Sequence, residues 1–276
     1  MLKQRTLTAL VLAPLAIALI LLSPTVVVAT IIAALCVLAT WEWARLAGFP
    51  SRPLRIGILA VNAAAYVVLW EIRDTPLAWY VIGAGLAGWL LSLLWLRNSS
   101  WAAAPTRENA AIKLVAGELA ILPAWLALMK LHGEPEHGHA WALFAIVLIW
   151  IADTGAYFAG KRYGTTKLAP RISPNKTTAG AWGALAGAVV AGLVAGWLFD
   201  VRGGALLALV LLALVAVAAS IVGDLIESLL KRQANVKDSG ALFPGHGGLL
   251  DRFDSLFAAL PVFVAGKALI DLVFHP

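Results

Sequence analysis

Long apolar runs separated by short polar breaks dominate this chain. Runs able to cross about 30 Å of hydrocarbon fall near 6–22, 25–41, 56–70, 77–96, 111–131, 141–160, 180–199, 203–222 and 255–274. Backbone groups inside a bilayer must bond within their own segment, so each run predicts a helix. The expected fold is an all-α polytopic membrane protein of about nine transmembrane helices. Only Ser23-Pro24 parts the first two runs, which read as a tight hairpin or as one broken helix. Two long polar interruptions, 161–179 and 223–254, both fall in the second half. They divide the chain into N-terminal transmembrane helices, 1–110, and a C-terminal transmembrane region, 111–276, that carries the polar chemistry.

Composition agrees with the pattern. Hydrophobic residues make up 61% of the 276 positions and charged ones 13%. A mean hydropathy of +0.87 excludes a soluble domain of this length. Lys3 and Arg5 before an apolar run imitate a signal peptide, but Ser23-Pro24 is a poor cleavage site and further spans follow, so a retained helix is expected. The single cysteine, Cys36, lies inside an apolar segment and excludes a disulfide framework or a cysteine-bound zinc. In a soluble protein a net charge of +6 would suggest nucleic acid; here it reads as loops facing anionic lipid, with no nucleic-acid partner. With the N-terminus inside, seventeen of the 21 Lys and Arg residues fall on the cytoplasmic side. Only Arg73, Lys130 and Arg202 fall outside, and Lys267 lies within the last span. This asymmetry predicts a multi-pass protein of the cytoplasmic (inner) membrane with an external C-terminus.

That topology gathers the embedded acids Glu118, Asp153, Asp224 and Glu227 in the cytoplasmic third, where they imply a polar cavity open to the cytoplasm. The block Ser228–Asp254 places Lys231, Arg232 and Lys237 beside Asp238, Asp251 and Asp254, with Pro244-Gly245-His246-Gly247-Gly248 between. Cations that hold phosphates beside carboxylates that hold a metal suit phosphoryl or nucleotidyl transfer. Asp251 and Asp254 share a face of one helical turn, and with Asp224 they form a candidate oxygen-only site for Mg2+, alone or with a second metal ion. Upstream, Arg171-Ile-Ser173-Pro174-Asn175-Lys176-Thr177 precedes a helix expected near Gly180, and a helix N-terminus is an anion site. Phosphate binding competes there with a plain positive-inside loop.

Other motifs have simpler readings. Gly83-Ala-Gly85-Leu-Ala-Gly88 matches a dinucleotide fingerprint but has no strand before it, so close helix packing is expected, as for Gly183, Gly187, Gly192 and Gly196. His132, His137 and His139 read as a solvated external loop, and Trp41, Glu42, Trp43 and Arg45 as an interfacial belt.

The block resembles the signature of the phosphatidate cytidylyltransferase family in Ser228, Lys231-Arg232, Lys237-Asp238, Gly240, Pro244, His246-Gly247-Gly248, Asp251-Arg252 and Asp254. Asp153-Thr154-Gly155-Ala156-Tyr157 with Gly160-Lys161, and Ser173-Pro174-Asn175-Lys176-Thr177, are similar to two further family elements; at 175 many members carry a basic residue. The resemblance implies transfer of CMP from CTP to phosphatidate, giving CDP-diacylglycerol and pyrophosphate. It implies catalytic roles for Asp224, Ser228, Lys231, Arg232, Lys237, His246, Asp251 and Asp254 and substrate contacts from Asp153, Arg171, Ser173, Lys176 and Thr177. Metal would sit on Asp224, Asp251 and Asp254. CTP, phosphatidate, membrane lipid and a second copy of the chain in a homodimer are the implied partners. A CTP-dependent lipid kinase and an anion or lipid transporter are the alternatives, the latter disfavoured because the charges cluster at one side.

Overall fold

The chain's structure, a computed structural model, describes residues 2–240 and 247–274, with side chains from Leu12 onward. Nine helices occur among the described residues: α1 Leu2–Leu22, α2 Thr25–Ala47, α3 Arg52–Ile72, α4 Leu77–Arg97, α5 Arg107–His132, α6 Gly138–Tyr163, α7 Thr178–Leu198, α8 Gly203–Gln233 and α9 Leu250–Phe274. Eight of these, α2 to α9, are long and apolar enough to cross a membrane, and Leu12–Leu22 of α1 forms a shorter apolar helix. The first two runs are therefore separate helices, divided at Ser23-Pro24.

The α1–α2 junction is held by residues expected to be solvated. His132 is fully buried, with one ring nitrogen 2.8 Å from the Ile20 carbonyl and the other 3.0 Å from the Thr25 hydroxyl. His139 stacks on it at 3.9 Å and bonds the Leu21 carbonyl. The solvated-loop reading thus fails for His132, because two helix ends left carbonyl and hydroxyl groups that only a side chain could satisfy.

Helix α5 lies at the centre, packed on α2, α4 and α9. Indole N–H groups bond backbone carbonyls of neighbouring helices: Trp43 to Lys113, Trp125 to Ala29 and Trp89 to Phe257. Each burial of a large ring is thereby achieved without an unpaired donor. Small residues set the remaining spacings. Gly85 and Gly88 face Pro123 and Leu119 of α5, Gly155 and Gly183 bring the α6 and α7 backbones together, and Gly192 and Gly196 meet Val210 and Leu206 of α8.

Two local differences from the sequence expectation matter for function. Helix α8 does not stop at 222 but continues through Gln233, so Asp224, Ser228, Lys231 and Arg232 stand on a helix rather than in a loop. Straight-chain residues keep helical propensity after the apolar run ends. The 161–179 interruption is likewise ordered: α6 runs to Tyr163, and β1 Lys167–Ala169 pairs antiparallel with β2 Ser173–Thr177, Lys167 opposite Thr177 and Ala169 opposite Ser173. The Arg232 side chain donates to the Ile172 carbonyl at 3.3 Å, pinning the hairpin to the end of α8.

Candidate active site

The chain turns its polar residues toward one end of the bundle, where α2, α6 and α8 finish and α7 and α9 begin. Thr177 caps α7, its hydroxyl oxygen accepting from the Gly180 N–H at 3.1 Å. Behind it, Gly160 and Gly164 leave room for the Thr177 side chain, and Gly180 lets the α6 backbone approach. The result is a cleft of about 510 Å³ between α6, the hairpin, α7 and α8. Its polar lining includes Asp153, Lys161, Lys167, Asn175, Lys176 and Asp224, while Ala152, Ala156, Ala181 and Ala184 line its apolar part. A half-open cleft, cationic at one end and apolar at the other, suits an anionic headgroup attached to hydrocarbon.

Spacing along α8 puts Asp224, Glu227, Ser228 and Lys231 on one face. Gly223 allows α9 to come so near that a methyl group there would meet the Asp254 carbonyl. Asp224 and Asp254 consequently lie close enough to repel one another, as do Asp153 and Asp224, with Lys176 acting on all three. Lys176 pairs directly with Asp224, whose other oxygen accepts from the Ser228 hydroxyl at 3.3 Å.

Asp251 has a different environment. Its Oδ2 accepts from the Ser239 N–H at 3.0 Å, the Ser239 hydroxyl at 2.9 Å and the Gly248 N–H at 2.8 Å. Its Oδ1 takes the Lys231 ammonium at 2.5 Å, and the same ammonium lies 2.6 Å from Glu227 Oε2. Lys231 is therefore a half-buried cation held between the buried carboxylate of Glu227 and the half-buried one of Asp251. One oxygen of that group, Glu227 Oε1, is buried and without a partner.

The residues expected from the sequence thus separate into groups. Asp153, Lys176, Thr177 and Asp224 line the cleft. Ser228 and Asp254 adjoin Asp224 at its edge, and Lys231 and Asp251 pair with each other between α8 and α9, outside the lining. Arg232 serves the hairpin instead. Arg171 sits at the hairpin turn and Ser173 opens β2, both outside the cleft lining, and Lys237 and Asp238 are exposed. His246 lies outside the described residues. Glu227, expected at the polar cavity, joins the site through Lys231, and two contributors were missed: Glu42 and Arg45. Glu42 is 7% exposed and bonds the Ser239 hydroxyl and the Leu249 and Leu250 N–H groups, so the interfacial-belt reading is wrong for it. Arg45 bonds the Ser239 carbonyl. An acid embedded in an apolar helix was the available signal, the same one that marked Asp153.

Among the described residues no three carboxylate, imidazole or thiol groups are gathered to hold a metal unaided. Mg2+ does not demand such a cage, since it is commonly bound by one or two carboxylates together with substrate phosphates and water. Asp224 and Asp254, oxygen donors close enough to interact across the α8–α9 crossing, fit that pattern. Asp251 fits it poorly, because Oδ2 already takes three donors and Oδ1 is free only if Lys231 withdraws.

A cleft lined by lysines and carboxylates among apolar helices suits a membrane-embedded transferase of phosphate-linked groups, and the chain belongs to the cytidylyltransferase family, whose model matches residues 3–269. Among individual proteins it is similar to the phosphatidate cytidylyltransferase of Pseudomonas aeruginosa, 42% identical over 271 residues and 96% of both chains. The Haemophilus influenzae protein of the same name is 32% identical over 95% of this chain and 97% of its own length. That of Bacillus subtilis is 44% identical over 136 residues, about half of each chain (48% and 49%).

Proposed function

We propose that this chain transfers CMP from CTP to phosphatidate, releasing pyrophosphate and forming CDP-diacylglycerol. The observation that carries the reading is the cleft that unites Lys161, Lys167 and Lys176 with Asp224 at one end and alanine-lined hydrocarbon surface at the other. An ionised phosphate oxygen of phosphatidate attacks the α-phosphorus of CTP; that P–O bond forms as the bond to the pyrophosphate oxygen breaks. The nucleophile is already an anion at neutral pH, so the reaction needs no general base. The obstacle is repulsion between anions, and the fixed charges of Lys161, Lys167 and Lys176 reduce it along the cleft wall.

Asp224 and Asp254 would hold a divalent cation, for which Mg2+ is the proposed identity and which would supply charge neutralisation on the triphosphate. Lys176, which pairs with Asp224, is placed to exchange carboxylate for phosphate when CTP enters the cleft. The excess of Lys and Arg at this end supports a cytoplasmic orientation in the inner membrane. The homodimer rests on family resemblance, since most of the glycine faces pack inside the chain on α5, α6 and α8.

The deciding experiment supplies purified protein with phosphatidate and CTP labelled at either the α- or the γ-phosphate. Label from the α-position in lipid, with γ-label in pyrophosphate, supports the reading. Label only from the γ-position would make the protein a lipid kinase.

A further inference from the structure

Glu42 lies on α2, 207 and 208 residues before the two amides it binds, and belongs to none of the signature motifs. Its Oε1 accepts from the Leu249 N–H at 3.2 Å and its Oε2 from the Leu250 N–H at 2.8 Å, and the Ser239 hydroxyl, whose one proton is shared with Asp251, lies 2.9 Å from Oε2. Leu250 opens α9, and the first N–H groups of a helix have no partner within it. A carboxylate at that point satisfies them and complements the helix dipole. The fit is tight, since a methyl group on Gly240 or on Gly248 would collide with this carboxylate. Two glycines of the signature are thus explained by a side chain from the opposite half of the molecule.

We propose that Glu42 is a positioning residue for the transfer reaction, fixing the start of α9 and the Ser239 loop so that Asp251 holds Lys231 and Asp254 stays close to Asp224. The link is direct, because the Ser239 hydroxyl lies 2.9 Å from Glu42 Oε2 and 2.9 Å from Asp251 Oδ2. Arg45 tightens the same loop through the Ser239 carbonyl. The cleft walls that carry Lys161, Lys167, Asn175 and Lys176 come from α6 and the hairpin, which Glu42 does not touch. Loss of Glu42 therefore misplaces the α8–α9 side while leaving the nucleotide side intact, and a displacement of about 1 Å in such a site costs on the order of 10²-fold in rate.

The proposal rests on the cytidylyltransferase reading, and its test carries one readout that does not. Glu42→Ala should lower kcat by about 30-fold or more while the KM for CTP moves less than about threefold. Glu42→Gln keeps an oxygen for Leu250 and Ser239, so it should recover most of the rate. Hydrogen exchange of the 248–252 amides should quicken in Glu42→Ala, while that of 175–180 stays at the parental rate. If Glu42→Ala does not accumulate, Gly240→Ala, which drives a methyl group against the carboxylate, should show the same fall in kcat and the same local exchange. An unchanged kcat, a loss confined to KM, or unchanged exchange at 248–252 overturns the proposal. The exchange result decides it even if the parent proves to transfer no CMP.

Discussion

Lys231 and Asp251 form a largely shielded ion pair at 2.5 Å that joins α8 to α9 across the polar end of the bundle. Glu227, at 2.6 Å from the same ammonium and 2% exposed, makes the pair a triad. Removing the cation leaves two largely shielded carboxylates against each other, which is far more costly than the pair is stabilising. Lys231→Met should therefore lose roughly 3 kcal/mol or more of stability, measured as chemical denaturation in detergent, whereas Lys237→Met at an exposed site should lose less than about 0.5 kcal/mol.

Carboxylate substitutions should separate by position. Asp224→Asn and Asp254→Asn should each reduce turnover by about 10²-fold or more and raise the Mg2+ concentration needed for half-maximal rate. Asp251→Asn should also lower turnover, but through Lys231 and the Ser239 loop, so its Mg2+ requirement should stay near that of the parent. Asp238→Asn, at an exposed site, should leave both unchanged. A chelator should abolish activity of the parent, and a magnesium titration of the four variants checks the ordering.

The hairpin gives a contrast between neighbours. Lys176 lines the cleft and pairs with Asp224, whereas Arg171 sits at the turn outside it. Lys176→Ala should raise the KM for CTP about 10-fold or more with a smaller effect on phosphatidate. Arg171→Ala should change either constant less than about threefold. Steady-state kinetics with each substrate varied in turn would show equal effects if this segment served only as a basic surface.

Orientation is open to labelling. Cys36 is buried, and a Cys36→Ala background permits single cysteines at exposed positions. Ser173→Cys and Lys237→Cys should react with a membrane-impermeant thiol reagent only after permeabilisation, and His137→Cys in intact cells. The reverse pattern would invert the topology and place the cleft outside.

Much of this arrangement was legible because membrane burial makes each polar residue conspicuous. The runs located eight spanning helices, and the spacing of Asp224, Ser228 and Lys231 announced a shared face once they were seen to be helical. What stayed hidden depended on partners distant in sequence. Glu42 looked like part of an aromatic belt because its donors, Ser239, Leu249 and Leu250, are brought to it only by the fold. His132 looked solvated because the carbonyl it satisfies belongs to Ile20. The donor groups around Asp251 were hidden too, because the Ser239 loop meets the start of α9 only in the fold.

The bond from α2 to the start of α9 also has a consequence for biogenesis. A chain leaving the ribosome inserts its helices in order, and Glu42 must wait in the bilayer without its partners until nearly all of the protein has been made. An unpaired carboxylate in hydrocarbon is costly, so an interrupted chain ending before Leu249 carries a mark of incompleteness that the finished chain lacks. Nascent chains truncated there should be recognised and degraded faster than equally truncated chains bearing Glu42→Gln.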